Sequence, residues 1–153
     1  MDQNSINFLR DSFNHHRDLT DDLDRKASFF LALAGVIFAL SVSRIEEAPF
    51  LVIAMTGILV VILSVLVIRL PYRGKVKEKF SLMCWWGFDG KSYEEYKEEI
   101  NKVFGSDQAI VEQYQKEIWN LANYSIKPKS LLLKWASYVL VAGLFIGFIL
   151  LFV

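Results

Sequence analysis

The stretch Asp22–Val36, DLDRKASFFLALAGV, sets four charges against the start of an almost wholly apolar run. The charges are Asp22, Asp24, Arg25 and Lys26, and the run continues from Ala27 to about Ser43. An amphipathic pattern precedes the cluster: Ile6, Leu9, Phe13, His16, Thr20 and Leu23 recur at three- and four-residue steps, one face of a helix. No Gly or Pro interrupts residues 1–30, so one helix about 40 residues long is expected, half in water and half in an apolar medium. The cluster then reads either as an anchor at a water interface or as part of a switch joining the two halves.

Working outward, the apolar residues fall in three blocks. Residues 27–43 form the first; at ~1.5 Å per residue they reach about 25 Å, short for a ~30 Å hydrocarbon core. Residues 48–68 form the second, with no charge, and residues 135–153 the third. RIEEA joins the first two, which requires a tight antiparallel hairpin. The chain is 54% hydrophobic yet 22% charged, and that segregation marks a small polytopic membrane protein rather than a soluble domain. The polar, acidic N-terminal segment is not a cleavable signal peptide.

Seventeen basic side chains balance seventeen acidic ones, so charge gives no reason to expect a nucleic-acid partner. Cys84 is alone, which excludes an internal disulfide. Basic residues set the expected orientation. Arg10, Arg17, Arg25 and Lys26 precede the first span, the hairpin holds only Arg44, and residues 69–134 hold twelve Lys or Arg. The N-terminus and residues 69–134 are therefore expected in the cytoplasm, with Val153 near the outer face.

Small residues lie along each span, among them Gly35, Gly57, Gly143 and Gly147; the last two form GLFIG, a small-xxx-small pair. They point to close helix packing, either within a three-helix bundle or between copies in a homo-oligomer.

Residues 69–134 read as a small helical insertion. RLPYRGKVKEKF leaves the second span, and SLMCWWGFDG is too short to cross a membrane. Ser92 and Glu95 form a capping box for a helix over residues 93–104, closed by Gly105. Ser106 opens a second helix with the stripe Ile110, Tyr114, Ile118, Leu121 and Ser125, and Pro128 ends it or sits in the first turn of the third span. These stripes and the N-terminal one are expected to pack on one another or on a second subunit. The fold class is thus all-α, a single membrane domain with a long amphipathic N-terminal helix, three transmembrane helices and this insertion.

No pattern for catalysis emerges. His15 and His16 point about 100° apart on a helix and cannot share one ion. GFDGKS lacks the spacing of a phosphate-cradling loop. No enzyme activity, cofactor or metal is expected. A binding surface is the remaining option: Lys26, Arg73, Lys75, Lys77 and Lys79 are basic, and Trp85, Trp86 and Tyr93 offer faces for stacking. The same basic residues also read as positive-inside anchors, and the tryptophans as an aromatic belt or local core.

Four stretches together resemble one family: DRKASFFLALAGVIFAL at 24–40, RLPYR at 69–73, SLMCWWGFDGKSYEEY at 81–96, and IVEQYQKEIWNLANYSIKPKSLLLKWASYVLVAGL at 110–144. The chain resembles the membrane effectors of bacterial Pycsar anti-phage systems, related in style to SLATT-type effectors. It departs from that pattern in its Trp85–Trp86 pair and in Pro128. The resemblance implies a partner pyrimidine nucleotide cyclase that makes cyclic UMP or cyclic CMP on infection. It also implies an effector that binds the nucleotide and impairs the inner membrane, so that infection aborts. On that reading Lys26, Arg73, Trp85 and Trp86 are the candidate nucleotide contacts. Asp24 and Arg25 form a hinge cluster in which Asp24 pairs with a cytosolic cation. A ligand-independent holin-like toxin and an accessory subunit of a larger membrane complex are the alternatives.

Overall fold

A computed structural model describes residues 3–69, 82 and 90–152, with side chains from residue 6 onward. Among these residues the chain is all-α. The helices are α1 (Gln3–Val42), α2 (Ala48–Arg69), α3 (Tyr93–Phe104), α4 (Asp107–Asn120) and α5 (Lys127–Leu150), with one π-helical segment, Leu121–Ile126, between α4 and α5. Helix α1 is the expected uninterrupted rod of 40 residues, about 60 Å long. Helices α1, α2 and the α4–α5 rod are each long and apolar enough to cross a membrane. The chain divides into two compact units, Asp21–Pro71 with Lys127–Val153, and Met1–Thr20 with Tyr72–Ile126.

The first is the membrane unit. Its burial follows a 3.5-residue period. On α5 the buried positions are Lys129, Leu133, Ala136, Leu140, Gly143 and Gly147, alternating steps of four and three. On α1 they are Ala27, Ala34 and Ser41, seven apart. On α2, Gly57 and Ser64 are seven apart, as are Val60 and Val67. Such a repeat keeps one seam facing its neighbours along slightly supercoiled helices. Ala27, Val67 and Leu133 fill one layer of the seam, and Ala34, Val60, Ala136 and Leu140 fill the next.

Helices α2 and α5 are the closely packed pair. A Cβ at Gly143 would overlap the Thr56 hydroxyl, and one at Gly147 would meet Ile53 and lie 3.4 Å from the Pro49 carbonyl oxygen. At Gly57 it would stand 3.1 Å from the Ala34 carbonyl oxygen, so glycine admits α1 there. The two glycines of GLFIG are therefore taken up inside the bundle, where close backbone approach supplies the dispersion energy that holds helices together in lipid. Gly35 takes no part in the packing of the bundle: it is exposed, with nothing within 4 Å of the place a Cβ would take. Composition counts small residues along a span but does not say which side of the helix meets a neighbour.

Phe29, Val36, Leu40, Leu59, Val141, Phe145 and Phe148 are exposed, a surface suited to lipid. At one end Trp135 and Tyr138 meet edge to face, with the Lys134 ammonium 5.8 Å from the Tyr138 ring, a polar–aromatic girdle of interfacial type. At the other end Arg44 forms a bidentate pair with Glu47, at 2.8 and 3.0 Å, and lies over the Phe50 ring. The Glu47 carbonyl accepts from the amides of Phe50 and Leu51, which starts α2 cleanly after the hairpin.

Buried hydroxyls in the spans mostly bond back to their own helix, Ser41 to the Ile37 carbonyl and Thr56 to that of Val52. Ser64 is fully buried and its hydroxyl has no hydrogen-bond partner among the described residues. A lone buried hydroxyl costs about 1–3 kcal/mol. Ser64→Ala is therefore expected to hold or raise the melting temperature of the detergent-solubilised protein, and a clear drop would reveal a bond that the packing does not show.

In the second unit the capping box forms as expected. Ser92 Oγ accepts from the Glu95 amide at 3.3 Å, and Glu95 Oε2 accepts from the Ser92 amide at 2.7 Å. That backbone bond holds the Glu95 carboxyl below its usual 4.5. A depressed carboxyl value means the cap is present above the unfolded-state value and is lost as pH falls through the folded one. The Ser92 amide resonance should thus shift on acidification below about pH 4.5, the ordinary carboxyl value, and Glu95→Gln should abolish that shift.

Ser106 caps α4 by accepting from the Ala109 amide. The N-terminal stripe finds a partner in this unit, with the Phe13 ring edge-on to Tyr114 at 6.1 Å. The deepest positions of α4 differ from the expected stripe. They are Val111, Glu117 and Asn120, followed by Ser125 in the π segment, whereas Ile110, Tyr114, Ile118 and Leu121 are half-buried. Only Ser125 of the expected stripe reaches the deepest positions; a π turn adds a residue to the helical turn there. The same widening fits Pro128, which lies in the first turn of α5: its ring would crowd the Tyr124 carbonyl, four residues back within the π segment. Helix α5 also begins earlier than the third span expected from hydropathy, at Lys127.

Candidate functional site

The charge cluster that precedes the first apolar block resolves into two different pairs. Asp22 and Lys26 face outward, one turn apart, with Nζ to Oδ2 at 2.6 Å. That hydrogen bond, more than any other influence, holds the Asp22 carboxyl below its usual 3.8. Both side chains are well exposed, so the pair contributes little stability. Arg25 is also exposed.

Asp24 turns the other way. Its two carboxylate oxygens accept from Lys129 Nζ at 2.6 and 2.7 Å. The Lys129 side chain is 6% exposed, against 37% for Asp24. The cation partner of Asp24 is therefore Lys129 of α5, in the part of that helix before the expected third span. Lys129 sits on the α5 seam described above, and Asp24 lies beside the α1 seam, next to Leu23, which packs on the Ala27–Val67–Leu133 layer. Asp24 precedes Ala27 by three positions, and Lys129 precedes Leu133 by four. Lys129 thus occupies the next seam position beyond the Ala27–Val67–Leu133 layer, and Asp24 flanks that layer. Ser28 Oγ donates to the Asp24 carbonyl at 2.9 Å.

Lys129 escaped the sequence reading because a lysine next to a proline at a span's start looks like an interfacial anchor. The signal that finds it is the run 129, 133, 136, 140, 143, 147, in which it takes the first seam place.

In the other unit Leu82, Ile100, Val103, Phe104, Ile110, Gln113 and Tyr114 line a cavity of about 210 Å³. It is walled almost wholly by apolar atoms, and the Gln113 amide oxygen accepts from the Leu82 N–H at 2.8 Å. Of the candidate nucleotide contacts, Lys26 is placed at the surface beside Asp22. Arg73, Trp85 and Trp86 lie outside the described residues, as do Cys84 and the lysines at 75, 77 and 79.

Three apolar helices with a seam of small residues and a charged, helical non-membrane unit define a multi-pass membrane protein. The model of the PycTM family, described as the Pycsar effector protein domain, matches residues 8–153, and the chain belongs to that family. It is on that account a transmembrane effector of anti-phage defence, with a nucleotide cyclase as its implied functional partner. No curated protein and no solved structure matches the chain.

Proposed function

We propose that this effector senses a cyclic pyrimidine mononucleotide, cyclic UMP or cyclic CMP, made by its partner cyclase, and then impairs the bacterial inner membrane so that infection aborts. The N-terminus and the non-membrane unit face the cytoplasm, where the nucleotide is made; the excess of Lys and Arg in these segments supports this. The observation that carries the reading is α1. One unbroken helix of 40 residues runs from an amphipathic segment through the charge cluster into a membrane span. A ligand that orders the amphipathic part acts on the same rod that lines the bundle.

The effector needs no catalysis of its own. Binding does the work, provided the nucleotide prefers the active arrangement, since a ligand shifts an equilibrium only by its differential affinity. Lys26 and Arg73 are assigned to the single negative charge of the cyclic phosphate, and Trp85 and Trp86 to the base.

The full chain in detergent, titrated with cyclic UMP, cyclic CMP, cyclic AMP and cyclic GMP, tests this by thermal shift. A pyrimidine nucleotide at about 100 times its Kd should stabilise the protein by ~2.7 kcal/mol, with the purine nucleotides inert. An equal response to all four, or to none, would overturn the reading.

A further inference from the structure

Lys129 is a buried ammonium whose charge is met by a carboxylate on another helix. The pair joins α1 to α5, at 2.6 and 2.7 Å. Close approach in the membrane unit is concentrated between α2 and α5. Helix α1 meets them through side chains such as Phe30, Leu33 and Ile37, and at Gly57. At the Asp24 end of the span α1 is held by the layer of Ala27, Val67 and Leu133, with Leu23, Phe30 and Leu132 packed against it.

We propose that the Asp24–Lys129 pair is an electrostatic latch that holds α1 on α5 in the resting effector, and that release of this pair opens the membrane unit. Three features favour a latch over a plain stabiliser. First, a buried ion pair adds little net stability over apolar packing, whereas losing one partner is strongly felt, so the pair is poised rather than merely strong. Second, its two ends differ in access: the lysine is enclosed and the aspartate is more than a third exposed, so water and solutes reach the pair from the Asp24 side. Third, Lys129 occupies a seam position of α5, where a polar residue fixes register instead of adding cohesion. Helix α5 is also preceded at once by the π segment, and Pro128 stands next to Lys129. The backbone there lacks one amide donor, so the lysine sits where α5 is easiest to bend.

This latch rests on the reading of the chain as a gated membrane effector, and its test separates the two. Full-length chain is expressed in bacterial cells without any cyclase, and membrane potential is followed with a voltage-sensitive dye, normalised to protein in the membrane fraction. Asp24→Asn should raise the resting depolarisation rate about tenfold and Lys129→Met by a smaller factor, as expected when a two-state equilibrium loses a term that favours the closed form. The exchanged pair, Asp24→Lys with Lys129→Asp, should return it to the wild-type rate. Singles as tight as wild type, or an exchanged pair that leaks as the singles do, would overturn the latch. Wild type co-expressed with a pyrimidine cyclase is read beside them. Silence there would set aside the nucleotide, while the latch would still stand or fall on the variants alone.

Discussion

Gly143→Val is expected to disrupt the membrane unit more than any other single change at a span glycine. A Cβ at this position overlaps Thr56 Oγ1 and lies 2.7 Å from Thr56 Cβ, an atom fixed to the α2 backbone. Thr56 cannot simply rotate away, because its hydroxyl is tied to the Val52 carbonyl at 2.8 Å. Overpacking of this kind costs about 1–3 kcal/mol and sometimes more. Gly147→Val should cost less, since the overlap there is shallower, with Ile53 Cγ1 and with Cδ1 at 2.9 Å, and does not reach an atom fixed to the α2 backbone. Gly35→Val should be close to neutral, because nothing lies within 4 Å of it. Thermal melts of the solubilised protein should therefore rank the losses Gly143, then Gly147, then Gly35. Adding Thr56→Gly to Gly143→Val should recover much of the loss. If Gly35→Val were the most damaging, the outer face of α1 would be packed against a second copy rather than against lipid.

The second large effect concerns stability at the charged pair and is asymmetric. Asp24→Asn leaves the Lys129 ammonium in place with only 6% of its side chain exposed. Removing one partner of a buried pair typically costs about 3–5 kcal/mol, because the remaining charge has no counterpart. Lys129→Met leaves the carboxylate instead, and at 37% exposure Asp24 reaches water. Its loss should be the smaller, on the order of 1 kcal/mol, since a solvated charge tolerates the loss of its partner. The double variant Asp24→Leu with Lys129→Met should lie near wild type, as apolar replacement of a whole pair usually does. Equal losses for the two singles, measured by chemical denaturation in detergent, would contradict the burial difference between the two ends.

The three spans were legible because lipid demands long apolar helices, and so was α1 as a single rod, since no proline or early glycine breaks it. Ser92 with Glu95, and Ser106, announced the insertion helices through capping chemistry, a local interaction that sequence spacing reveals directly. The burial of the insertion was harder to read. Its deepest side chains on α4 include Glu117 and Asn120, which no apolar periodicity selects. At the candidate site, the partner of Asp24 was foreseeable as a cation but not as Lys129, 105 residues away. Long-range pairing of charges leaves no trace in local spacing. Only the seam of α5 does, and a seam position held by lysine is easily taken for an interface anchor. Lys26, by contrast, is occupied with Asp22 one turn away, a pairing its i,i+4 spacing already allowed.

Nucleotide gating is tested most directly by the membrane potential of cells that express the wild-type chain with and without a pyrimidine nucleotide cyclase. Depolarisation that appears only when the cyclase is active is the expected result. Depolarisation at the same rate without the cyclase, or none in either case with the protein confirmed in the membrane, would contradict it.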